Sequence, residues 1–127
     1  DLTPISADRE LTDYLWPIVS EIIKTAIENE QNLIVEGCYI PSNWQKNFES
    51  KYLKNIVCYC LVMSEKYIRN HFDDISNYAN IIERRLDDDL TVESVIEDNM
   101  YYYSYAEKSG VKLVLIDDEY NTEGLLL

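Results

Sequence analysis

The sequence is poor in glycine and contains no phosphate-binding loop. Its 127 residues include three glycines, Gly37, Gly110 and Gly124, and no segment has the form G-x-x-x-x-G-K-[ST]. Without that loop, neither a backbone cradle nor a cradle lysine for nucleotide phosphates is encoded. We therefore predict that this chain alone takes no ATP or Mg²⁺ as cofactor and transfers no phosphate.

Basic residues are scarce as well. The chain has 11 Lys and Arg against 24 Asp and Glu, which gives a net charge of −13. A surface this acidic repels nucleic acids and anionic lipid, so we expect neither as a partner. No apolar stretch approaches the roughly 20 residues of a membrane span, and nothing resembles a signal peptide. The apolar content of 46% nevertheless excludes disorder on hydrophobicity alone.

Histidine and cysteine are few. His71 is the only histidine, so no acid–histidine–nucleophile arrangement can be drawn. We expect it to be a loop residue or a loose lid contact rather than a general base. The cysteines number three, and Cys58 and Cys60 alternate within an apolar run. An odd number with this placement is typical of reduced core thiols, which predicts a cytoplasmic protein.

Three mainly apolar runs are present, and each has the length of a strand. They are Leu33–Ile40, Ile56–Val62 and Val111–Ile116. Strands without polar alternation are covered on both faces, as in parallel sheets between helices. We predict a single α/β domain over residues 1–127, with three parallel strands and helices on both faces.

Helical spacing marks the segments between these runs. An apolar stripe from Leu11 to Ile27 predicts a helix over Asp8–Glu30 that packs on the sheet. Pro17 interrupts it and predicts a kink or two abutting helices. The S-x-x-Q pattern at Ser42 predicts a capping box and a short helix, with Trp44, Phe48 and Tyr52 on one side.

The second half continues in the same way. Ser64 caps a predicted helix from Glu65 to about His71, Asp73–Tyr78 predicts a loop, and Ala79–Leu86 predicts another helical piece. Thr91 caps a long helix that runs through Ser109, with Gly110 as its stop. The predicted inner face of that helix consists of Val92, Val95, Ile96, Met100, Tyr103 and Ala106.

Glu36 and Gly37 follow a predicted parallel strand, where open α/β sheets place their ligands. Glycine permits a sharp turn or a close backbone approach. An acid there can hold Mg²⁺-bound water or accept a proton from an acceptor hydroxyl. The competing interpretation is a surface acid beside a turn glycine.

Three of the four arginines, Arg69, Arg84 and Arg85, lie in one window after the second strand. Arginine binds phosphate through two parallel hydrogen bonds, so the cluster predicts an anion clamp. Pairing of Arg84 and Arg85 with neighbouring acids in the Glu83–Asp89 segment is the simpler alternative. The Tyr101–Tyr105 run poses a similar choice between a partner-binding face and ordinary amphipathic packing.

The order of these parts resembles the adenylate-kinase-type family of P-loop small-molecule kinases. The resemblance covers a strand ending in an acid and a glycine, then a strand leading to an arginine-bearing lid, then a long helix and a last strand. It implies that Glu36 holds Mg²⁺ and acts catalytically, together with Arg69, Arg84 and Arg85. It implies that Gly37 and Tyr39 contact the acceptor, and that Asp118, Glu119 and Tyr120 flank the nucleotide base. ATP, Mg²⁺ and a small-molecule substrate are the implied ligands of the parent protein.

The family's central strand, which carries the phosphate loop, has no counterpart here. Its absence leaves the first two predicted strands with facing, unpaired edges, and such edges recruit other strands. The strands could close up or pair across a homodimer, but we expect the sequence to belong to a longer protein. The alternative function is a non-catalytic acidic α/β module that binds a protein through its tyrosine-rich helix.

Overall fold

A computed structural model describes residues 8–79, 81, 90–123 and 125. In this part of the chain the fold is mixed α/β, with four α-helices and one two-stranded parallel sheet. The chain divides into two compact units, Asp1–Val57 (unit 1) and Cys58–Leu127 (unit 2). The single-domain assignment stays a prediction. None of the helices formed by the described residues combines the length and apolarity needed to cross a membrane.

Helix α1 of unit 1 spans Asp8–Glu28 and continues through Pro17, so the prediction of two abutting helices is wrong. Asp8 and Glu10 lie in its first turn, where acids are stabilised by the helix dipole. The helix ends in a Schellman motif, because the Gln31 amide donates to the Ala26 carbonyl (2.9 Å) and the Glu30 amide to that of Ile27 (3.1 Å). Glu30 occupies the left-handed position of this motif, with φ of 54°.

The core of unit 1 is aromatic. It combines Trp16 of α1 with residues from a short 3₁₀ helix at Trp44–Asn47 and from helix α2 at Ser50–Leu53. Trp44, Phe48 and Tyr52 are all buried and neighbouring rings meet edge to face. The predicted single helix is wrong, because Phe48 is extended (φ −123°, ψ 131°) between the 3₁₀ helix and α2. The predicted capping box is wrong: Asn43 precedes the 3₁₀ helix without a side-chain cap. A backbone bond from Trp44 N to Pro41 O (3.1 Å) closes that turn instead.

The stripe on α1 is only partly buried. We expected it to pack on a sheet, but its buried aromatic, Trp16, contacts Phe48 and donates from Nε1 to Asn47 Oδ1 (3.1 Å). Ile18 and Ile22 of the same stripe are about half exposed, at 52% and 53%. The buried side of α1 therefore packs against the aromatic residues that follow Asn43, rather than against a sheet.

The predicted strand Leu33–Ile40 is not formed in the described structure. Residues 31–36 run without a turn or bend, but they join no ladder. Leu33, Ile34 and Val35 are exposed at 47%, 73% and 38%. A strand requires a neighbour to accept and donate its backbone hydrogen bonds, and the described residues supply none here.

The sheet of unit 2 pairs β1 (Tyr59–Met63) with β2 (Lys112–Ile116) in parallel, which confirms that part of the fold prediction. Tyr59 lies opposite Lys112 and Met63 opposite Ile116. β1 begins three residues later than expected, because Ile56–Cys58 lie outside the ladder apart from one bond from Lys112 N to Cys58 O (3.4 Å). Two strands, rather than three, form the sheet of the described chain.

Helix α3 spans Glu65–Tyr78 and is capped by Ser64, as predicted. The prediction of a loop over Asp73–Tyr78 is wrong, because the helix continues beyond His71. His71 itself has non-helical dihedral angles (φ −125°, ψ 18°), which mark a kink. Ile68, Phe72 and Ile75 keep a helical spacing across it, so the apolar face persists. The predicted helix Ala79–Leu86 lies largely outside the described residues.

Helix α4 spans Val92–Ser109, between the predicted cap Thr91 and the predicted stop Gly110. Thr91 Oγ1 accepts from Ser94 N (3.1 Å), and Thr91 N donates to Ser94 Oγ (3.0 Å). Gly110 has φ of 67°, the left-handed conformation that favours glycine. The predicted inner face is right for Val95 and Ala106 but wrong for Met100, which is 50% exposed.

The core of unit 2 lies where α4 packs against both strands and against α3. Its most buried members are Val62, Ile68, Val95, Ala106 and Ile116. Cys60 is also buried, and its thiol donates to the Tyr102 carbonyl (3.6 Å). This arrangement holds the carboxyl ends of β1 and β2 side by side, and the two loops that follow them form one edge.

Candidate functional site

Charged residues meet at the carboxyl edge of the sheet in unit 2. Since β1 and β2 are parallel, the residues that follow Met63 and Ile116 emerge together. Lys66, in the first turn of α3, lies 3.1 Å from Asp117 Oδ2 and 2.6 Å from Asp118 Oδ1. One ammonium group therefore joins the start of α3 to the loop after β2.

The ion pairs shift the pKa values of both partners. A hydrogen bond from the Ser64 hydroxyl, and then one from Lys66, hold the pKa of Asp117 below its usual value of 3.8. Hydrogen bonds to Asp118 and Asp117 raise the pKa of Lys66 above 10.5. The side chains of Lys66, Asp117 and Asp118 are exposed at 53%, 46% and 81%, so solvent screens their attraction.

Two backbone contacts fix the edge itself. The Ser64 amide donates to the Ile116 carbonyl (2.9 Å), which extends the strand pairing by one bond. The Met63 amide donates to Asn99 Oδ1 (2.8 Å), and Asn99 Nδ2 donates to the Val95 carbonyl (2.8 Å). The loops of the edge are thus anchored to the buried side of α4.

Arg69, the first predicted lid arginine, lies on α3 and binds Glu65. Its Nε and Nη2 atoms are 2.9 and 2.8 Å from Glu65 Oε1. Both side chains are about half exposed, so this is an ordinary pair one helical turn apart. Arg84 and Arg85 lie outside the described residues.

The residues assigned to the nucleotide base follow β2. Asp118, Glu119 and Tyr120 are all exposed, and Tyr120 is 63% accessible. Of the three, Asp118 is drawn into the edge by Lys66. This loop offers a solvent-facing aromatic ring next to carboxylates that already have a cationic partner.

The remaining predicted site residues belong to unit 1. Glu36 is exposed, and Tyr39 is half-buried. Gly37 has φ of 146°, and a Cβ placed there would meet no heavy atom within 4 Å. Backbone conformation, rather than close approach of neighbouring atoms, is therefore what requires glycine at this position.

The described residues do not fit a magnesium ion. Among them, no three His, Cys, Asp or Glu side chains are grouped as metal ligands, at Glu36 or elsewhere. The lysine at the sheet edge is held by two aspartates, and Arg69 is held by Glu65. The described residues thus form neither a metal centre nor a phosphate cradle.

Four further side chains of unit 2 that carry reactive groups pack against neighbouring residues. Burial raises the pKa of Cys58 and that of Cys60, as core thiols require, and burial likewise raises the pKa of Tyr105. His71 was expected in a loop but belongs to α3, where its ring stacks on Tyr67 at 4.3 Å. Its Nδ1 lies 3.7 Å from Asp74 Oδ2. Within the described part of the chain, these four side chains form no nucleophile–base pair with one another.

Lys66 is the site residue that the sequence analysis missed. The available signal was topological: residues that follow two parallel strands lie at one edge, so Lys66 and the Asp117–Asp118 pair are expected neighbours.

No family model, curated protein or solved structure matches this chain. The likeness to P-loop kinases therefore stays a prediction carried by the motifs quoted above. The geometry at the carboxyl edge of the sheet is the further support for a function.

Proposed function

We propose that this chain is part of an ATP-dependent small-molecule kinase, which transfers the γ-phosphoryl group of ATP to a small acceptor. The observation that carries the proposal is the convergence of Ser64, Lys66 and Asp117–Asp118 at the carboxyl edge of a parallel strand pair. Open α/β sheets bind their ligands at this edge. On this proposal the phosphate cradle comes from polypeptide that the sequence does not contain.

Within this proposal, the chain supplies the acceptor side and the base side of the site. Glu36, Gly37 and Tyr39 contact the acceptor, and Asp118, Glu119 and Tyr120 flank the base. Arg69, Arg84 and Arg85 neutralise negative charge on the transferring group. The three-layer fold also belongs to the proposal: Leu33–Ile40 is its third parallel strand, which pairs once another strand is supplied.

The thiols indicate the cellular compartment, and the net charge indicates the class of substrate. Cys38, Cys58 and Cys60 form no disulfide, which suits a reducing compartment, so we assign the kinase to the cytoplasm. The net charge of −13 argues against a nucleic-acid substrate and favours a small molecule.

The test uses protein expressed from its complete reading frame and follows labelled γ-phosphate into nucleotides, sugars and small acids. We expect Arg69→Ala, and the double change of Arg84 and Arg85 to Ala, each to lower kcat/KM at least about tenfold, or ~1.4 kcal/mol. Arg9→Ala is the matched control, because Arg9 is exposed on α1 and belongs to no predicted site. Absence of transfer to every acceptor, or equal rates in all three variants, contradicts the proposal.

A second candidate function is favoured by the surface of α4. Met100 and Tyr101 are exposed at 50% and 65%, and the ring of Tyr101 meets that of Tyr102 at 5.3 Å. Exposed methionine and tyrosine are enriched where proteins bind one another. A protein partner that is lost on Tyr101→Asp but retained on Tyr14→Asp, an exposed tyrosine of unit 1, would favour this interaction module over the kinase.

A further inference from the structure

Unit 1 contains an apolar groove beside α1. Its volume is about 990 Å³, and its apolar lining comes from Pro17, Ile18, Ile22, Ala26 and Leu33. Glu21 is the charged residue among those that line it, and Lys24 lies 2.8 Å from the Glu21 carboxylate. The groove thus presents apolar side chains, and the carboxylate of Glu21 beside them is paired with Lys24.

The groove continues into backbone that lacks partners. Within the described chain, the amides and carbonyls of Leu33, Ile34 and Val35 make no hydrogen bond to other residues. The segment from residue 31 to residue 36 runs without a turn or bend, and the Schellman motif at Glu30 fixes where it starts. Side chains of a straight segment alternate between its two sides, so the apolar run is apolar on both.

We propose that this groove and the run Leu33–Val35 form an acceptor site for one apolar β-strand that carries lysine or arginine at its ends. Strand addition uses backbone hydrogen bonds for affinity and side-chain pockets for specificity, and both features are present here. Glu30 and Glu36 flank the run, three residues before Leu33 and one residue after Val35, so the ends of a strand laid along it lie near these acids. Cationic ends are therefore complementary to the site.

The occupant is not a second copy of this chain. Each copy carries a net charge of −13, and each would bring its own Glu30 and Glu36 to the shared strand pair. Association of two such surfaces is opposed by their charge. The inference extends the fold part of the proposed kinase but does not rest on its chemistry, since no nucleotide is involved.

The test uses two fluorescent peptides of equal charge, KKVTVIVTVKK and the same peptide with proline in place of the central isoleucine. Proline removes a backbone donor and breaks the strand. Anisotropy titrations of the 127-residue chain should saturate with the first peptide and show at least about tenfold weaker binding of the second. Equal binding of both peptides, or binding of neither, overturns the proposal.

Two variants separate strand addition from simple charge attraction. Ile34→Lys should weaken binding of the first peptide about tenfold or more, because it places a charge in the apolar interface. Tyr101→Lys is the matched control, since it makes the same charge change at an exposed position of unit 2 and should change the affinity about twofold at most. Circular dichroism checks that both variants fold. Equal losses in the two variants, or dimerisation of the peptide-free chain that Ile34→Lys abolishes, would show that the assigned occupant is wrong.

Discussion

Lys66 Nζ lies 2.6 Å from Asp118 Oδ1, a residue 52 positions later in the chain. The contact joins the first turn of α3, which follows β1, to the loop after β2, and Asp117 Oδ2 shares the same ammonium at 3.1 Å. Because all three side chains are largely exposed, the pairs contribute little to folding. Their effect is positional: they hold the loop after β2 against the first turn of α3.

The first prediction concerns the titration of Asp117. Its folded pKa is lowered, so the stabilisation linked to its ionised form is fully present above pH 3.8 and is lost as the pH falls through the folded pKa. Lys66→Met should raise the pKa of Asp117 toward 3.8, and Ser64→Gly should raise it further, because the Ser64 hydrogen bond is the larger cause. Glycine is chosen because it costs only a few tenths of a kcal/mol at an N-cap.

Carboxyl carbon shifts followed by NMR from about pH 2 to 7 measure these values. Lys24→Met is the control, since Lys24 pairs with Glu21 in unit 1 and should leave Asp117 unchanged. An Asp117 pKa above 3.8 in the unmodified chain would refute the geometry described at the sheet edge.

The second prediction concerns Glu30, a non-glycine residue with φ of 54°. The left-handed conformation costs such a residue about 1–2 kcal/mol. A glycine variant avoids this cost, but the larger loss of backbone entropy on folding takes back about 0.5–1 kcal/mol of the gain. Glu30→Gly should therefore raise the free energy of unfolding of unit 1 by about 0.5–1 kcal/mol, helped by removal of an acid at a helix C-terminus.

Tryptophan fluorescence during urea unfolding reports on unit 1, because Trp16 and Trp44 are the only tryptophans. Glu30→Ala removes the same charge but keeps a Cβ, so it should recover only the smaller, electrostatic part. Equal stabilisation by both variants would mean that charge, rather than backbone conformation, dominates at this position.

Local patterns predicted well the elements that their own residues determine. The caps at Ser64 and Thr91 and the stop at Gly110 act within one turn, and all three were identified from residue type and spacing. The parallel pairing of β1 and β2 was likewise indicated by mainly apolar runs without polar alternation. The run at Leu33–Ile40 has the same composition, but a strand also needs a neighbour, and composition does not show whether one is present.

The candidate site likewise contains residues that could be predicted from the sequence and residues that could not. Asp118 was proposed through the resemblance to P-loop kinases, whereas Lys66 was missed because its partners are 51 and 52 residues away. Arg69 was expected to meet an anion, but Glu65, one turn earlier, already holds it. Side-chain pairing across loops depends on tertiary placement, which spacing within a single segment does not encode.

The third prediction concerns thiol reactivity. Cys38 is exposed, while burial raises the pKa of Cys58 and Cys60 above 9.0. The thiolate is the reactive form, so at pH 8 one thiol should react rapidly with Ellman's reagent and two slowly. Cys38→Ser should abolish the rapid phase, and Cys58→Ser should leave it intact. Three equal rates without denaturant would contradict the burial of Cys58 and Cys60.

The fourth prediction concerns the cap of α4. Thr91→Ala removes the acceptor of the Ser94 amide and should lower the free energy of unfolding of unit 2 by about 1 kcal/mol. Thr91→Ser keeps the hydroxyl and should retain most of the free energy of unfolding that Thr91→Ala loses. Hydrogen exchange of the amides in the first turn of α4 gives the local readout. Protection that is the same in Thr91→Ala as in the parent chain would mean that the cap is not formed in solution.

The last prediction is that this chain alone does not bind MgATP tightly. Phosphoryl groups need backbone amides and cations directed at their oxygens, and the sequence has no glycine-rich loop to supply the amides. The cations at the sheet edge are engaged, Lys66 by two aspartates and Arg69 by Glu65, while the net charge of −13 repels the ligand. Isothermal titration calorimetry with Mg²⁺ should show no saturable binding tighter than ~100 μM, or about −5.5 kcal/mol. If such binding is found, Lys66→Met locates it: loss of affinity would show that the edge opens to admit phosphate, and unchanged affinity would assign the nucleotide to a different surface.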